Sequence, residues 1–406
     1  MQPVLDILFL AQRVPYPPDR GDRITTWNIL RRMLDAGHRL RVACFLEATD
    51  EAESVRFLEG HGAEVFAERL NPRLRKLKSL PFLLSSRPLT LPYFAHRGLR
   101  ARLRASLRAR RPDVCFAYSS SMGFYLLALA AELDGVRKIA QFAELDSDKW
   151  AQYSASQGFP GSWIYAREAK RLLEWERRLA EAVDVNLVVS PVEKRIFEAR
   201  IPGQTARVLP NGVDLEAFHP DATIAKVPAS VVFTGVMNYL PNVDAVLHFC
   251  DSCWPKIRAE FPQARFFVVG SGPTPEIQAL HGKHGVEVTG RVPSTVPWMQ
   301  KACVGVAPLR LARGVQNKVL EAMACGLPTV CSKQAATGID AKDPDHLRIA
   351  GDDAAMIDAV LALFREPDTA KALGQAARSR VEVRYAWDRI LRDLDELLVP
   401  PAGGGA

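Results

Sequence analysis

The sequence predicts an α/β fold made of two doubly wound domains in series, on the basis of two observations. The chain has 406 residues, 48% of them hydrophobic, which is too long for one ordinary core and enough to bury two. Apolar runs of strand length alternate with helical patterns, and the alternation starts afresh in the second half. We therefore expect two parallel sheets, each with helices on both faces.

The first half contains three strand patterns that are each followed by a helical pattern. They are "DILFLA" before "RITTWNILRRMLDAG", "RLRVACFL" before "EAESVRFLEGHG", and "DVCFAYS" before "SMGFYLLALAAEL". This order is typical of βαβ units, in which successive strands are parallel.

The alternation resumes at "SVVFTG" and continues through "ARFFVVGSG", "VEVTG", "VGVAPL" and "LPTVCS". The connector "IPGQT" and the turn at Asn211 and Gly212 mark the seam between the domains. We place a first domain at residues 1–203, a second at 204–378 and a C-terminal helix at 379–399. Open parallel sheets bind ligands at the carboxyl ends of their strands, so a central cleft between the two domains is the expected substrate site.

Neither a membrane span nor a disulfide framework is predicted. The first apolar run is interrupted by Asp6 and ends at Gln12, well short of the ~20 residues that cross a bilayer. The seven cysteines are scattered in apolar patterns, which indicates reduced thiols and a cytoplasmic protein. Cys250 and Cys253 have the spacing of a metal-binding pair with His248 nearby, but their segment has helical periodicity, and we favour helix packing.

The net charge of +7 is unevenly distributed, with a basic segment at residues 69–111 that contains no aspartate or glutamate. Its cations alternate with apolar stretches such as "SLPFLLSSRPLTLPYF". Clustered apolar side chains among cations are typical of contact with an anionic membrane surface, whereas a groove for nucleic acid favours isolated stacking aromatics. We favour the membrane, with a solvated basic helix as the alternative.

A cationic loop follows the strand pattern "VGVAPL". Arg310, Arg313 and Lys318 surround Gly314, which allows close approach of the backbone. The helix that follows offers unpaired N–H groups at its N-terminus, which is a favourable place for an anion. These features predict a site for the diphosphate of a nucleotide sugar, at which no divalent metal is needed because the cations neutralise the leaving group.

The same helix would present polar residues on one face. Asn317 and Lys318 lie four and three residues before Glu321, so all three can share that face, and Glu321 can accept hydrogen bonds from sugar or ribose hydroxyls. Gly326 is expected to end the helix. The alternative is a surface ion pair between Lys318 and Glu321. Three apolar residues of the helix should face the core: Val319, Leu320 and Met323.

Two other glycine turns follow strand patterns. Gly21 precedes a helical pattern, so its backbone N–H groups and the positive helix end would face an anion. The turn "VVGSGPTP" begins like a dinucleotide fingerprint, but Pro273 and Pro275 remove donors and the third glycine is absent, so a nicotinamide or flavin site is not favoured.

An ordered set of motifs resembles the family-four retaining glycosyltransferases, which share the two-domain GT-B fold. The set runs through "RVPYPPDRGDR", "LDAGHRLRVACF", "NLVVSPVEKRIF", "VLPNGVDLEAFHP", "VVFTGVMNYLPNVDAV", "FFVVGSGP", "VTGRVP" and "NKVLEAMACGLPTV" and covers nearly the whole chain. Within the family, "RVPYPPDRGDR", "LDSDKW" and "RGVQNKVLEAMA" resemble the bacterial sugar transferases of exosortase and PEP-CTERM exopolysaccharide systems.

The resemblance implies roles for individual residues. It implies that Gly21 and Gly235 contact the donor, that the backbone near Val292 meets the nucleobase, and that Glu321 holds the ribose. It also implies that the C-terminal helix crosses back to the first domain. The donor would be a UDP- or GDP-sugar, bound as substrate without a further cofactor.

The sequence departs from the family pattern in three places. Arg313 occupies the position eight residues before Glu321, where the family carries a second glutamate. The segment "VMNYLPN" after "VVFTG" lacks the usual cations, so the diphosphate charge falls to the cationic loop. The usual histidine of the first domain is absent, and "QFAELDSDKW" takes its place. We choose Asp146 as the polar group near the anomeric carbon, with Glu144 and Asp148 as rivals; a helix N-cap explains any of them equally well.

The expected function is transfer of a sugar, with retention, from a nucleotide diphosphate to a lipid-linked or saccharide acceptor in exopolysaccharide biosynthesis. The basic segment would dock the first domain at the inner face of the cytoplasmic membrane. The catalytic candidates are Asp146, Lys318 and Glu321. Two alternatives on the same fold are a nucleotide-sugar epimerase and a non-catalytic nucleotide-sugar-binding protein.

Overall fold

The structure is a computed structural model that describes residues 3–47, 51–71, 74–75, 79–156, 158–312 and 314–399. The chain forms two compact units. Unit 1 contains the chain up to Leu209 and again from Leu391, and unit 2 runs from Pro210 to Ile390.

Unit 1 is built on a parallel sheet that has seven strands among the described residues, in the order β3-β2-β1-β4-β5-β6-β7. The central strands β1 and β4 are buried along their whole length, because helices cover both faces of the sheet. The strands are β1 Asp6–Leu10, β2 Arg39–Leu46, β3 Glu64–Arg69, β4 Val114–Tyr118, β5 Arg137–Ala143, β6 Val185–Val188 and β7 Arg207–Val208.

The helices of unit 1 turn their apolar sides to this sheet. Helix α4, Arg97–Ala109, is basic on its exposed side. Its buried residues recur every four positions and are Leu99, Leu103 and Leu107. A 3-10 turn spans Leu80–Leu84. The helices are α1 Gly21–Asp35, α2 Ala52–Gly60, α3 Thr90–Phe94, α4 Arg97–Ala109, α5 Gly123–Ala128, α6 Asp146–Ser156, α7 Gly161–Ala182 and α8 Pro191–Arg200.

Unit 2 repeats the architecture with a parallel sheet that has six strands in the described part of the chain, in the order β10-β9-β8-β11-β12-β13. Its strands are β8 Ser230–Thr234, β9 Arg265–Val269, β10 Val286–Val288, β11 Val304–Ala307, β12 Thr329–Ser332 and β13 Arg348–Ala350. Its helices are α9 Leu240–His248, α10 Trp254–Glu260, α11 Pro275–Gln278, α12 Val296–Lys301, α13 Asn317–Ala324, α14 Lys333–Ala336, α15 Asp353–Arg365, α16 Pro367–Arg384 and α17 Trp387–Ile390.

The last helix, α18 Arg392–Leu398, belongs to unit 1. Arg32 of α1 pairs with Asp395, and Arg137 of β5 donates a hydrogen bond of 2.8 Å to the carbonyl of Leu397. Leu394, Leu397 and Leu398 are buried. Helix α18 is therefore part of the core of unit 1.

The two doubly wound α/β domains expected from the sequence are confirmed, and the strand patterns coincide with β1, β2, β4 and β8–β12. The helical segments differ more. The structure divides 379–399 among the end of α16, α17 and α18, and the helix after β4 covers only Gly123–Ala128. None of the helices in the described residues combines the length and hydropathy of a bilayer span.

Candidate active site

A tightly packed turn of unit 2 joins β8 to α9. Gly235, directly after β8, has φ +155°, and a Cβ on it would lie 2.7 Å from Asn242 Nδ2 and 3.3 Å from Lys318 Nζ. Gly270, after the neighbouring β9, is equally constrained, because its Cβ would lie 1.7 Å from the Gly235 carbonyl oxygen. Only glycine fits both positions, so backbone, amide and ammonium groups converge where these strands end.

Lys318 is held in a defined position at this turn. Its Nζ donates to Asn242 Oδ1 and lies 4.3 Å from the centre of the Phe233 ring. The other end of the Asn242 side chain donates a 2.9 Å hydrogen bond to the carbonyl of Val236. The amide is therefore oriented with its oxygen toward the ammonium group, and the aromatic face adds a cation–π contact.

Burial shifts the pKa of Lys318 and Glu321 toward each other. Burial lowers the pKa of Lys318 to about 7, against a smaller opposing effect of the Glu321 charge. Burial raises the pKa of Glu321 to about 7, against a smaller opposing effect of Lys318. A cation whose charged form is destabilised in the free protein gains most from an incoming anion, so Lys318 is suited to a phosphate.

Helix α13 carries this pair at the end of β11. The expected burial of Val319, Leu320 and Met323 is confirmed, and so is the end of the helix at Gly326, which has φ +65°. The helix begins at Asn317, whose Oδ1 accepts a hydrogen bond of 3.3 Å from Asn211 Nδ2. Gly314 is buried with φ +62°, a conformation that favours glycine.

The described residues do not gather the predicted cations into one group. Arg310 forms a two-point ion pair with Asp244 of α9, with an Nε to Oδ2 distance of 2.9 Å. Its charge is therefore already matched by a carboxylate that lies 66 residues earlier in the sequence. Arg313 lies outside the described residues, so its predicted role in donor binding stays a prediction.

In unit 1, polar groups gather where β4 and β5 end. Asp146, at the start of α6, accepts a 2.9 Å hydrogen bond from Ser120 Oγ and pairs with Lys149. Its rival Asp148 pairs with Arg200 at 2.7 Å, and Glu144 is half-buried. Side-chain partners thus fix the carboxylates of Asp146 and Asp148.

Glu176 is a buried carboxyl group beside Asp146 that sequence reasoning missed. It accepts hydrogen bonds from the backbone N–H and the hydroxyl of Ser147, so it satisfies the N-terminus of α6 from the neighbouring α7. Burial, followed by the Asp146 charge, raises the pKa of Glu176 to about 8. The serines after β4 were missed too: Ser121 Oγ accepts from Gln12 Nε2 at 2.7 Å, across the switch point of the sheet.

Two family models match the chain. The model "Glycosyltransferase Family 4" matches residues 21–217, and the model "Glycosyl transferases group 1" matches residues 228–366. Both halves of the chain are therefore glycosyltransferase domains. The first model contains the candidate residues of unit 1, and the second contains those of unit 2.

A curated relative is similar to part of the chain. The glycosyltransferase is 25% identical over 243 residues to a GDP-mannose-dependent monoacylated alpha-(1-6)-phosphatidylinositol monomannoside mannosyltransferase of Corynebacterium glutamicum. That alignment covers 55% of this chain and 64% of the relative.

Two solved structures share its fold over almost their whole length. Sucrose-phosphate synthase from Thermosynechococcus elongatus has a TM-score of 0.73 at 17% identity, covering 97% of this chain and 98% of that one. Anabaena Alr3699/HepE in complex with UDP has a TM-score of 0.71 at 14% identity, covering 97% of this chain and 99% of that one.

Two further donor-site candidates of the glycosyltransferase lie at chain turns. Gly21 is the first residue of α1, and the next residue, Asp22, pairs with Arg13 at 2.7 Å. Arg13 also binds Glu47 at 3.0 Å, so the start of α1 already has its own charge network. Val292 follows β10 and packs partly buried against an apolar cluster of unit 2.

Several arginines of the basic segment form ion pairs within unit 1, which its sequence does not indicate. Arg102 binds Glu68, Arg104 binds Glu132, and Arg110 binds Asp6 and Glu64. The apolar residues face inward, because the leucines of α4 are buried and Tyr93 and Phe94 pack against the core. The cations Arg73, Lys76 and Lys78 lie outside the described residues.

The cysteine pair sits at an irregularity in the helices of unit 2. Phe249–Cys253 forms a π-helical turn between α9 and α10, and His248 binds Asp353 at 2.8 Å. In the part of the chain that the structure describes, no group of three or more His, Cys, Asp or Glu residues is arranged to hold a metal ion.

Proposed function

We propose that the protein transfers a sugar, with retention of anomeric configuration, from a nucleotide diphosphate donor to a lipid-linked acceptor. The observation that carries this proposal is the position of Lys318, a partly neutralised ammonium group beside the crowded Gly235 turn with Glu321 one helical turn away. As negative charge develops on the leaving diphosphate, it would restore the positive charge of Lys318. The interaction between the two groups would then be stronger in the transition state than in the bound substrate, which favours the reaction.

The other roles follow from the same proposal. Glu321 accepts hydrogen bonds from the ribose, Gly235 leaves room for the phosphates, and Asp146 faces the anomeric carbon. The remaining donor contacts are Gly21, Val292, Arg310, Arg313, Gly314 and Asn317. The complexes of HepE with UDP and UDP-glucose support a UDP-sugar as donor, and the name of the GDP-mannose-dependent relative supports a GDP-sugar.

The acceptor and setting rest on sequence resemblance. The mannosyltransferase relative acts, by its name, on a phosphatidylinositol monomannoside, which supports a lipid-linked acceptor. We propose a role in bacterial exopolysaccharide biosynthesis of the exosortase and PEP-CTERM type, at the inner face of the cytoplasmic membrane. The basic segment 69–111 would bring the protein to that anionic surface.

The test begins with donor identity. UDP-, GDP- and ADP-sugars are screened by thermal shift, because a bound donor raises the melting temperature by mass action. Turnover of the best donor is then measured for Lys318→Ala and Glu321→Ala beside Lys283→Ala, a control lysine that is exposed in the same unit. We expect a loss of about 10²–10³-fold for Lys318→Ala and none for the control.

Each alternative has its own outcome in this assay. Wild-type rates in both site variants would remove Lys318 and Glu321 from the mechanism. A changed sugar without any acceptor would identify an epimerase, and the absence of affinity for every nucleotide sugar would identify a different kind of protein. The anomeric configuration of the product, measured by NMR, decides between retention and inversion.

A further inference from the structure

The hairpin of α6 and α7 ends in an uncharged aromatic tip. From Trp150 to Ala166 the sequence contains no Asp, Glu, Lys or Arg. Phe159 is 86% exposed, the highest value for a large apolar side chain in the described residues, and Trp163 is 51% exposed. Large exposed apolar groups that lie close together are typical of an interaction surface.

Three further aromatic rings of the hairpin pack against one another. The rings of Trp150, Tyr153 and Tyr165 contact one another, with centroids 5.1 Å apart for Trp150 and Tyr165 and 5.9 Å apart for Trp150 and Tyr153. These contacts join α6 to α7 and hold the start of α7, where Trp163 lies, in a fixed position. Phe159 and Trp163 therefore remain exposed while the other three aromatics pack together.

Cations lie behind the tip on the same side of α7. Arg167 and Lys170 follow Trp163 by four and seven residues, so they share its face and lie about 6 and 10 Å further along the helix. Arg167 donates to the carbonyl oxygens of Phe82, Ser85 and Arg87.

The next residue, Glu168, also binds the backbone of the basic segment. Glu168 accepts hydrogen bonds from the backbone N–H groups of Leu89 and Thr90, at 2.6 and 2.9 Å. The basic segment is thus fastened to the hairpin, and the exposed Arg87 is brought beside it.

We propose that this hairpin tip inserts into the interface of an anionic lipid bilayer. Trp, Tyr and Phe are the residues favoured at the boundary between headgroups and acyl chains. With Phe159 and Trp163 at that boundary, Lys170 and Arg87 lie at the depth of the lipid phosphates, which gives the surface its charge complementarity. The inference deepens the proposed membrane partner by assigning the apolar contact to the tip, since the apolar residues of α3 and α4 face the core.

The test compares vesicle binding by flotation for three proteins. They are the wild type, the tip variant Phe159→Ser/Trp163→Ser, and the control Val4→Ser/Val383→Ser, which removes side chains that are 58% and 53% exposed elsewhere. With equimolar phosphatidylglycerol and phosphatidylcholine we expect the tip variant to bind about tenfold more weakly, and the control to bind like the wild type. Pure phosphatidylcholine should bind the wild type weakly, because the cations then lack partners.

A second measurement locates Trp163. Lipids with brominated acyl chains should quench fluorescence in the wild type, and the quenched part should be smaller in Trp163→Phe. Equal vesicle binding by wild type and tip variant overturns the inference, as does a wild-type dimer that dissociates in the tip variant while vesicle binding is unchanged. Donor binding, measured without vesicles, tests the proposed function separately, because the tip variant should keep it.

Discussion

At the residue scale, the central feature is a lysine and a glutamate whose charged forms are both destabilised by burial. Lys318 depends on Asn242 and the Phe233 ring, and these partners come from β8 and α9, far away in the sequence. In the described part of the chain, the site thus contains a buried lysine whose charged form an incoming anion would stabilise.

This feature predicts proton uptake on donor binding. The pKa of Lys318 is about 7 in the free protein, so the side chain is mostly neutral at pH 8, and a bound diphosphate should raise that pKa. Binding of UDP or GDP at pH 8 should take up as much as one proton, and affinity should fall as the pH rises from 7 to 9. Calorimetry in buffers with different ionisation enthalpies measures the uptake.

The matched variant is Lys318→Met, which keeps the aliphatic length and cannot be protonated. It should bind without the uptake and with a flatter pH dependence between 7 and 9. An uptake that is unchanged in Lys318→Met would assign the proton to another group.

The geometry of helix α13 was predictable at the level of single residues, and the reason is local. Helical spacing fixes the face shared by Asn317, Lys318 and Glu321, and the conformation required after Ala324 fixes a glycine at 326. The partner of Arg310 was not predictable, because Asp244 lies on α9, 66 residues earlier in the sequence, and no local pattern connects the two. The same holds for Glu176, which reads as an ordinary helix carboxylate until α6 is placed against it.

At the element scale, the N-terminus of α6 is completed by a side chain of α7. Glu176 accepts from Ser147, and Trp175 Nε1 donates to the carbonyl of Ser120 at 3.2 Å. The two helices therefore fix the loop after β4 and the position of Asp146 together. Helix α6 depends for its first turn on a residue that is 29 positions away.

The pH dependence of stability should report this contact. The pKa of Glu176 is raised to about 8 in the folded protein from an ordinary value of 4.5, so the folded state retains the proton where the unfolded state has lost it. Stability from this group is complete below pH 4.5 and is lost as the pH rises through 8. In Glu176→Gln the loss of stability between pH 5 and pH 8 should be smaller than in the wild type.

Denaturant unfolding at several pH values measures the effect. Glu174→Gln is the control on the same helix, because the Glu174 side chain is 43% exposed and pairs with Arg171. It should retain the wild-type slope. An identical slope in all three proteins would show that Glu176 is ionised throughout the range.

Strands were easier to predict than helices, for a physical reason. Buried parallel strands such as β1 and β8 are continuous apolar runs, and such runs are conspicuous in a sequence. Helix limits are less conspicuous: the pattern "SMGFYLLALAAEL" has helical composition, yet the helix ends at Ala128, and Leu129 and Leu133 beyond it are buried in the core of unit 1 without being helical. The return of the chain at Leu391 likewise depends on packing that periodicity does not encode.

At the scale of the whole molecule, the two units have separate apolar cores. One core contains strand residues of unit 2 such as Phe233 and Val306, and another contains residues of unit 1 such as Leu8 and Phe142. Leu394 of α18 is fully buried, although it follows the whole of unit 2 in the sequence. A core substitution should therefore lower the free energy of unfolding of the unit that contains the residue, whatever the position of that residue along the chain.

Reciprocal core substitutions test this division. Leu394→Ala should destabilise unit 1 by about 2–5 kcal/mol, as expected for a buried leucine, and should leave unit 2 unchanged. Leu363→Ala, which removes a buried side chain of α15, should destabilise unit 2 and leave unit 1 unchanged. Amide hydrogen exchange, compared for β4 and β8, reports both units in one experiment. Faster exchange in β8 of Leu394→Ala would show that the cores are coupled.

The return of α18 to unit 1 also bears on how the protein is made. During synthesis, unit 2 leaves the ribosome as one uninterrupted stretch. The sheet of unit 1 emerges earlier, yet the carbonyl that Arg137 binds and the carboxylate that Arg32 binds belong to α18, which is translated after the whole of unit 2. Unit 1 is therefore begun before unit 2 and completed after it, and nascent chains would expose its unfinished surface until α18 has been made.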